Sequence, residues 1–333
     1  MDAQRVAVPH LGPVLIGFFG RVMRVASLAA IILTSAAVTA REPRHSPADP
    51  SQLDPAGGAS VVFVEQGFQR GLNYLIGTPR EQLGAGLALA DLDNSGTLDA
   101  IVLGATNGLV GIYQQLPSGQ FANRSFTSGI PPMTAASGVS VADYNADGLL
   151  DLFISGWMTS GRLLRNNGNF TFTDVTAQAG LAFTAPSLAP VWTDFDRDGW
   201  LDLYVSVRTG THQNFTRNKL FRNNSDGTFT EMAAQLGVDC GNDPSLLAVF
   251  FDYNRDGWDD LYVGTDKGAP GSWRNRLFRN DAGVFTEVTS EANAEAFIEC
   301  MGFAIGDLNF DGFFDVYMTN NLFGNLLLMN DGR

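Results

Sequence analysis

The chain has 333 residues, 45% of them hydrophobic and 17% charged, with a formal net charge of −14 at pH 7. That balance is globular rather than disordered, and it argues against nucleic acid as a partner, because phosphates need a basic surface. The 37 glycines fit turn-rich β structure in which strands end in tight loops.

Arg21 and Arg24 precede an apolar stretch from Val25 to Val38 that ends in Val38-Thr39-Ala40. This is the pattern of a secretory leader, residues 1–40, cleaved after Ala40. The stretch is shorter than the roughly 20 apolar residues that span a bilayer, so an N-terminal anchor is the weaker reading. No membrane span is expected in the mature chain, which is read as secreted, periplasmic or held at the cell surface. A second apolar patch, Val14 to Phe19, lies upstream of the arginines and makes Met23 an alternative start. Residues 41–59 carry Pro43, Pro47, Pro50 and Pro55 with Gly57 and Gly58 and no apolar period, which reads as a linker. The folded unit is expected over residues 60–333, with Ser60 to Glu65 resembling the outermost strand of a sheet.

From there one nine-residue frame recurs five times. Asp91 to Asp99 has Asp93, Ser95 and Thr97 at positions three, five and seven. Asp143 to Asp151 has Asn145, Asp147 and Leu149; Asp194 to Asp202 has Asp196, Asp198 and Trp200. Asp252 to Asp260 has Asn254, Asp256 and Trp258; Asp307 to Asp315 has Asn309, Asp311 and Phe313. The frames start 52, 51, 58 and 55 residues apart, a period that suits four short strands and their turns, one propeller blade. Each frame is entered from a short apolar run (Leu87 to Ala90, Gly138 to Ala142, Pro190 to Thr193, Ala248 to Phe251, Phe303 to Gly306). It exits into a second strand such as Leu203-Tyr204-Val205 or Leu261-Tyr262-Val263. A third strand follows, as in Leu220 to Asn224, Leu277 to Asp281 and Leu326 to Met329, and a fourth in Gly227 to Glu231 and Gly283 to Glu287. These are the marks of antiparallel meanders, and the fold class is all-β: a propeller of four-stranded antiparallel blades.

The Asp-rich loops followed by Leu-Tyr-Val resemble FG-GAP/VCBS repeats. The segments Leu220-Phe-Arg-Asn-Asn224 and Phe285-Thr-Glu-Val-Thr289 are similar to the cartilage-acidic-protein (ASPIC/UnbV-associated) branch of that family, and the resemblance covers residues 60–333. It implies a seven-bladed propeller, related to the head of integrin α chains, in exported or surface proteins. With five frames present and the sequence ending inside a repeat, the expectation is an incomplete seven-blade ring rather than a natural five-blade one.

Oxygen-bearing side chains at positions one, three and five converge when the loop curls, and Ca²⁺ accepts six to eight hard oxygens at roughly 2.3–2.6 Å. Position seven is expected to offer its backbone carbonyl, and position nine a bidentate carboxylate. Position six is Gly throughout (Gly96, Gly148, Gly199, Gly257, Gly312), as a turn with positive φ requires. An EF-hand needs a Glu at position twelve and flanking helices, whereas Val102, Ile154, Val205, Val263 and Met318 stand there. Solvated Asx-turns are the plain alternative, but five aligned clusters of like charge call for a cation. Up to five Ca²⁺ are expected, held best where four carboxylates meet at Asp194 and least well where Ser95 replaces a carboxylate.

The two cysteines, Cys240 and Cys300, lie in connections of neighbouring blades, and a disulfide between them is the slightly favoured reading in an exported chain. Of three histidines only His212 lies in the propeller region, which excludes a multi-histidine zinc site. Asn123, Asn169, Asn214 and Asn223 stand in Asn-x-Ser/Thr sequons. No nucleophile elbow, Walker loop or dinucleotide fingerprint is present. The reading is a non-catalytic module for a protein or glycan partner. The alternative is the scaffold of a propeller-type polysaccharide-active enzyme whose catalytic part is missing or unrecognised.

Overall fold

The computed structural model describes residues 64–74, 86–208, 217–266, 273–321 and 324–332. The expected leader and linker, His212, Asn214 and residues 60–63 of the expected opening strand lie outside the described residues; Val64 and Glu65 are exposed and belong to no strand.

Nineteen strands and no helix occur among the described residues. Four of them, β1 (Leu87–Ala90), β2 (Asp99–Val102), β3 (Gly111–Gln115) and β4 (Phe121–Asn123), form the first blade in that order. The second holds β5 (Ala136–Ala142), β6 (Asp151–Ser160), β7 (Arg162–Asn166) and β8 (Phe172–Asp174); the third holds β9 (Thr184–Thr193), β10 (Asp202–Val207), β11 (Lys219–Asn223) and β12 (Phe229–Glu231). A fourth contains β13 (Ser245–Phe251), β14 (Asp260–Thr265), β15 (Arg276–Asp281) and β16 (Val284–Glu287); a fifth contains β17 (Cys300–Gly306), β18 (Asp315–Asn320) and β19 (Leu326–Leu328). All pairings are antiparallel. The first strands are successive neighbours, β1 beside β5, β5 beside β9, β9 beside β13 and β13 beside β17. They therefore line a common centre, as propeller blades do. Each acidic loop joins the first strand of a blade to the second.

The blades are not wholly separate sheets. β6 and β9 are both ten residues long and extend past their blades to pair with each other through Trp157↔Pro186, Thr159↔Ala185 and Ser160↔Thr184.

A small four-stranded sheet cannot bury its own apolar faces, so the core lies between blades. Alternation along the second strand does this work, because successive side chains point to opposite faces. In β10, Leu203 and Val205 pack back against Tyr144 and Phe153 of the second blade, while Tyr204 faces forward against Ala248 and Leu261 of the fourth. In β14, Leu261 and Val263 join that third–fourth layer, and Tyr262 enters the next with Val316 and Met318. Each such fully buried side chain contributes roughly 1.5–3 kcal/mol. The tyrosine hydroxyls do not go unsatisfied: Tyr204 donates to the Val238 carbonyl at 2.9 Å and Tyr262 to that of Ala294 at 2.6 Å.

The expected disulfide is not formed. Cys240 and Cys300 are separate buried thiols. Cys240 packs in the layer between blades three and four, beside Tyr204, and Cys300 in the layer between blades four and five. Their unequal offsets from the loops that follow send them to opposite faces of the fourth blade.

Candidate metal centres in the five loops

The loops are curled by their own hydrogen bonds. At position one, Asp91 accepts from the N–H groups of Ser95 and Gly96 at 2.9 and 2.8 Å. Asp143, Asp252 and Asp307 do the same with positions five and six of their own loops, at 2.9–3.1 Å. At position three, Asp93, Asn145, Asp196, Asn254 and Asn309 each accept from the position-five N–H. The side chains of Asp147, Asp198, Asp256 and Asp311 in turn accept from the N–H of Leu149, Trp200, Trp258 and Phe313. These nested Asx-turns are what the short oxygen-bearing side chains were placed to make. The position-six glycines lie at φ of 85–93°, the region an L side chain avoids. Position four is left-handed as well, at Asn94, Ala146, Arg197, Arg255 and Phe310, with φ of 56–62°.

Position nine is the buried end of every loop: Asp99, Asp151, Asp202, Asp260 and Asp315 are all 0–1% exposed. One oxygen of Asp99, Asp202, Asp260 and Asp315 accepts the position-two N–H, from Leu92, Phe195, Tyr253 and Leu308. The other oxygen, and Oδ1 of Asp151, accepts a backbone N–H at the end of the third strand: Gln115, Asn166, Asn223, Asn280 or Asn330. Burial pushes these carboxyls up, Asp99 to about 6, Asp151 and Asp202 to about 8 and Asp260 to about 7. The backbone N–H donors oppose the shift and the other loop carboxylates add to it. Asp194 is raised too, first by burial.

Two loops bring three carboxylates together with ligand oxygens within 4.8 Å of one another: Asp91, Asp93 and Asp99, and Asp194, Asp196 and Asp202. In the other three an Asn amide oxygen stands at position three. The donor sets are hard oxygens throughout, which fits Ca²⁺. The second and third loops carry a further sign, since Asp151 Oδ2 and Asp194 Oδ1 are each buried without a hydrogen-bond partner. A buried carboxylate oxygen left so is costly unless something positive meets it.

Neighbouring loops also touch one another. The Arg197 guanidinium, from position four, lies 4.4 Å from the Trp258 ring centre in the next loop, and Arg255 lies 5.2 Å from that of Phe313. In the first pair of loops Asn94 Nδ2 donates to the Gly148 carbonyl at 2.9 Å.

Three features escaped the reading of the sequence. Asn166, Asn223 and Asn280, nearly fully buried, each donate their side-chain amide to the position-two carbonyl of the preceding blade's loop, Leu92, Tyr144 and Phe195, at 2.8–2.9 Å. Asn330 does the same to Tyr253 at 2.7 Å. The recurring Asn at the end of the third strand was the available signal. Asn223 is thereby taken out of its sequon role in the folded chain, whereas Asn123 and Asn169 are exposed. Position four and the partners of Arg222 are the other two features.

The chain is 26% identical to cartilage acidic protein 1 of Xenopus tropicalis over 166 residues, 49% of this chain and 24% of that protein. It is 25% identical to cartilage acidic protein 1 of Homo sapiens over 143 residues, 42% of this chain and 21% of that protein. The matches thus span less than a quarter of either relative's length. Among solved structures, the V. cholerae biofilm matrix protein Bap1 aligns over 60% of this chain and 27% of its own, with TM-score 0.35 and 16% identity. The FG-GAP-like repeat model matches four times, over residues 91–154, 143–205, 209–263 and 252–318; three of the matches run from one acidic loop through the next, and 209–263 runs from beyond the third loop through the fourth. With more than half of its length accounted for in this way, the chain belongs to the FG-GAP-like repeat family.

Proposed function

We propose that this chain is an exported, non-catalytic interaction module. Its loops bind up to five Ca²⁺, and the surface they stiffen meets a protein or glycan partner. The observation that carries the metal reading is the orphaned Asp194 Oδ1 beside Asp196 and Asp202. Positions one, three, five and nine of each loop would hold the ion with a position-seven carbonyl, and a bound cation supplies the positive charge that buried, mutually repelling carboxylates lack. The leader pattern of residues 1–40 and the similarity to cartilage acidic protein 1 support an extracellular setting.

Because the loops assemble only in the folded chain, each site stabilises it by roughly 2.7 kcal/mol at a hundredfold excess of Ca²⁺ over Kd. The test is thermal melting of the protein with Ca²⁺ and with EDTA, beside a count of bound ions by elemental analysis. The expected result is a large upward shift of the midpoint. An unchanged midpoint with no bound calcium would remove the reading. Export is checked by N-terminal sequencing of secreted material, which should begin at Arg41.

A further inference from the structure

We infer that Arg222 sets the cation affinity of the third loop by cancelling its fourth carboxylate, an inference that rests on the loops being Ca²⁺ sites. Just before the third-strand asparagine, or Gln115 in the first blade, stand Gln114, Arg165, Arg222, Arg279 and Met329 in blades one to five. Where position three is Asp, this residue reaches it. Gln114 Nε2 donates to Asp93 Oδ2 at 2.9 Å, and Arg222 donates to Asp196 Oδ2 at 2.5 Å and to Asp198 Oδ2 at 2.7 Å.

Where position three is Asn, the strand residue is not used. The Asn amide itself donates to the position-five carboxylate: Asn145 to Asp147 at 2.9 Å, Asn254 to Asp256 at 2.8 Å and Asn309 to Asp311 at 2.8 Å. Arg279 turns to Asp281, and among the described residues Arg165 pairs with no carboxylate of its loop. The donor that Asn supplies to position five in three loops is therefore supplied by Arg222 in the third. The charges follow the same rule. Loops one, two, four and five hold three carboxylates each at positions one, three, five and nine; the third holds four, with Arg222 against two of them. Counted over positions one, three, five and nine and the strand residue that pairs with them, each loop thus keeps three carboxylates that this residue does not offset. Arg222 is a positioning residue: it acts on the ion through Asp196 and Asp198.

The experiment uses the full chain and Tb³⁺ as probe, excited through tryptophan and displaced by Ca²⁺. The part of the luminescence that disappears in Trp200→Phe belongs to the third loop, since Trp200 is its position seven. Arg222→Met, which copies the fifth blade, raises the Ca²⁺ affinity of that component on the order of tenfold by leaving four carboxylates. Arg222→Gln, which copies Gln114, gives the same rise if the methionine variant folds poorly. Adding Asp196→Asn to either restores the wild-type value, and Arg222→Lys retains it. An unchanged or weakened affinity in Arg222→Met or Arg222→Gln, beside a normal wild-type signal, overturns this inference alone. A wild type with no Trp200-dependent signal that Ca²⁺ displaces overturns the cation reading and this inference together.

Discussion

The side-chain amide of Asn280 donates to the carbonyl of Phe195, 2.8 Å away and one blade back. The same amide donates to the Asp259 carbonyl at 3.1 Å, and the Asn280 backbone N–H donates to Asp260 at 2.7 Å. One residue therefore joins its own loop, at two points, to the loop of the preceding blade. With Asn166, Asn223 and Asn330 in the matching places, the five loops are tied in series.

Removing this tie should cost more in the interior of the series than at its end. Asn280→Ala leaves the Phe195 carbonyl, and that of Asp259, without this donor, each worth about 1–3 kcal/mol where it is buried. Asn330 is only half-buried, so solvent replaces part of what Asn330→Ala removes. Urea unfolding with Ca²⁺ present should rank Asn280→Ala well below Asn330→Ala; equal midpoints would contradict the buried tie.

Position five and position nine should separate metal binding from folding. Asp198 is partly exposed and accepts from the Trp200 N–H and from Arg222. Asp198→Ala should lose one ion by elemental analysis, with a metal-free melt shifted by no more than about 1 kcal/mol. Asp202 is wholly buried and accepts the N–H groups of Phe195 and Asn223 at 3.2 and 2.8 Å. Asp202→Ala should lose the ion and also destabilise the metal-free chain by about 2 kcal/mol or more, the cost of two orphaned donors. Retention of every ion in both variants would refute the ligand assignment.

Ala146 holds a left-handed position four with no polar side chain to favour it. Its φ is 56°, a conformation that costs an L residue roughly 1–2 kcal/mol but that asparagine tolerates. In the first loop Asn94 holds this conformation and also donates to the Gly148 carbonyl of the next loop. Ala146→Asn should therefore raise stability by about 0.5–1 kcal/mol, read as a higher urea midpoint at unchanged slope. A lowered midpoint would show that the backbone there relaxes away from the left-handed region.

The loops and blades were legible because they repeat: a period near fifty residues, the glycine at position six, and alternating Leu-Tyr-Val strands each point to one arrangement. The asparagine ties were not, because Asn280 and Phe195 are 85 residues apart and the partner is a main-chain carbonyl that leaves no mark in the sequence. Position four escaped for a similar reason, since Ala146 and Arg197 carry no signature of positive φ. The four carboxylates of the third loop are plain in the sequence, but the return of Arg222 from the third strand onto Asp196 and Asp198 is not. The pairing of β6 with β9 joins two blades that the period had separated. The cysteines were misjudged because neighbouring connections in sequence feed opposite faces of one blade.

Those cysteines give the last test. Burial pushes the thiols of Cys240 and Cys300 up to about 12, and the thiolate is the reactive form. In native protein with Ca²⁺ at neutral pH, neither should react with iodoacetamide, whereas denaturant should expose two alkylatable thiols without prior reduction. A reductant should leave the melting midpoint where it was. The sign of the pH dependence follows from the same shift. The unfolded thiols ionise near 9 while the folded ones keep their protons to about 12, so the folded state binds more protons in that window. Stability contributed by the protonated thiols is present below about 9 and is lost as pH rises towards 12. Cys240→Ala with Cys300→Ala should flatten that part of the alkaline unfolding curve. An intact mass lower by two hydrogens, with thiols that appear only after reduction, would instead establish the disulfide.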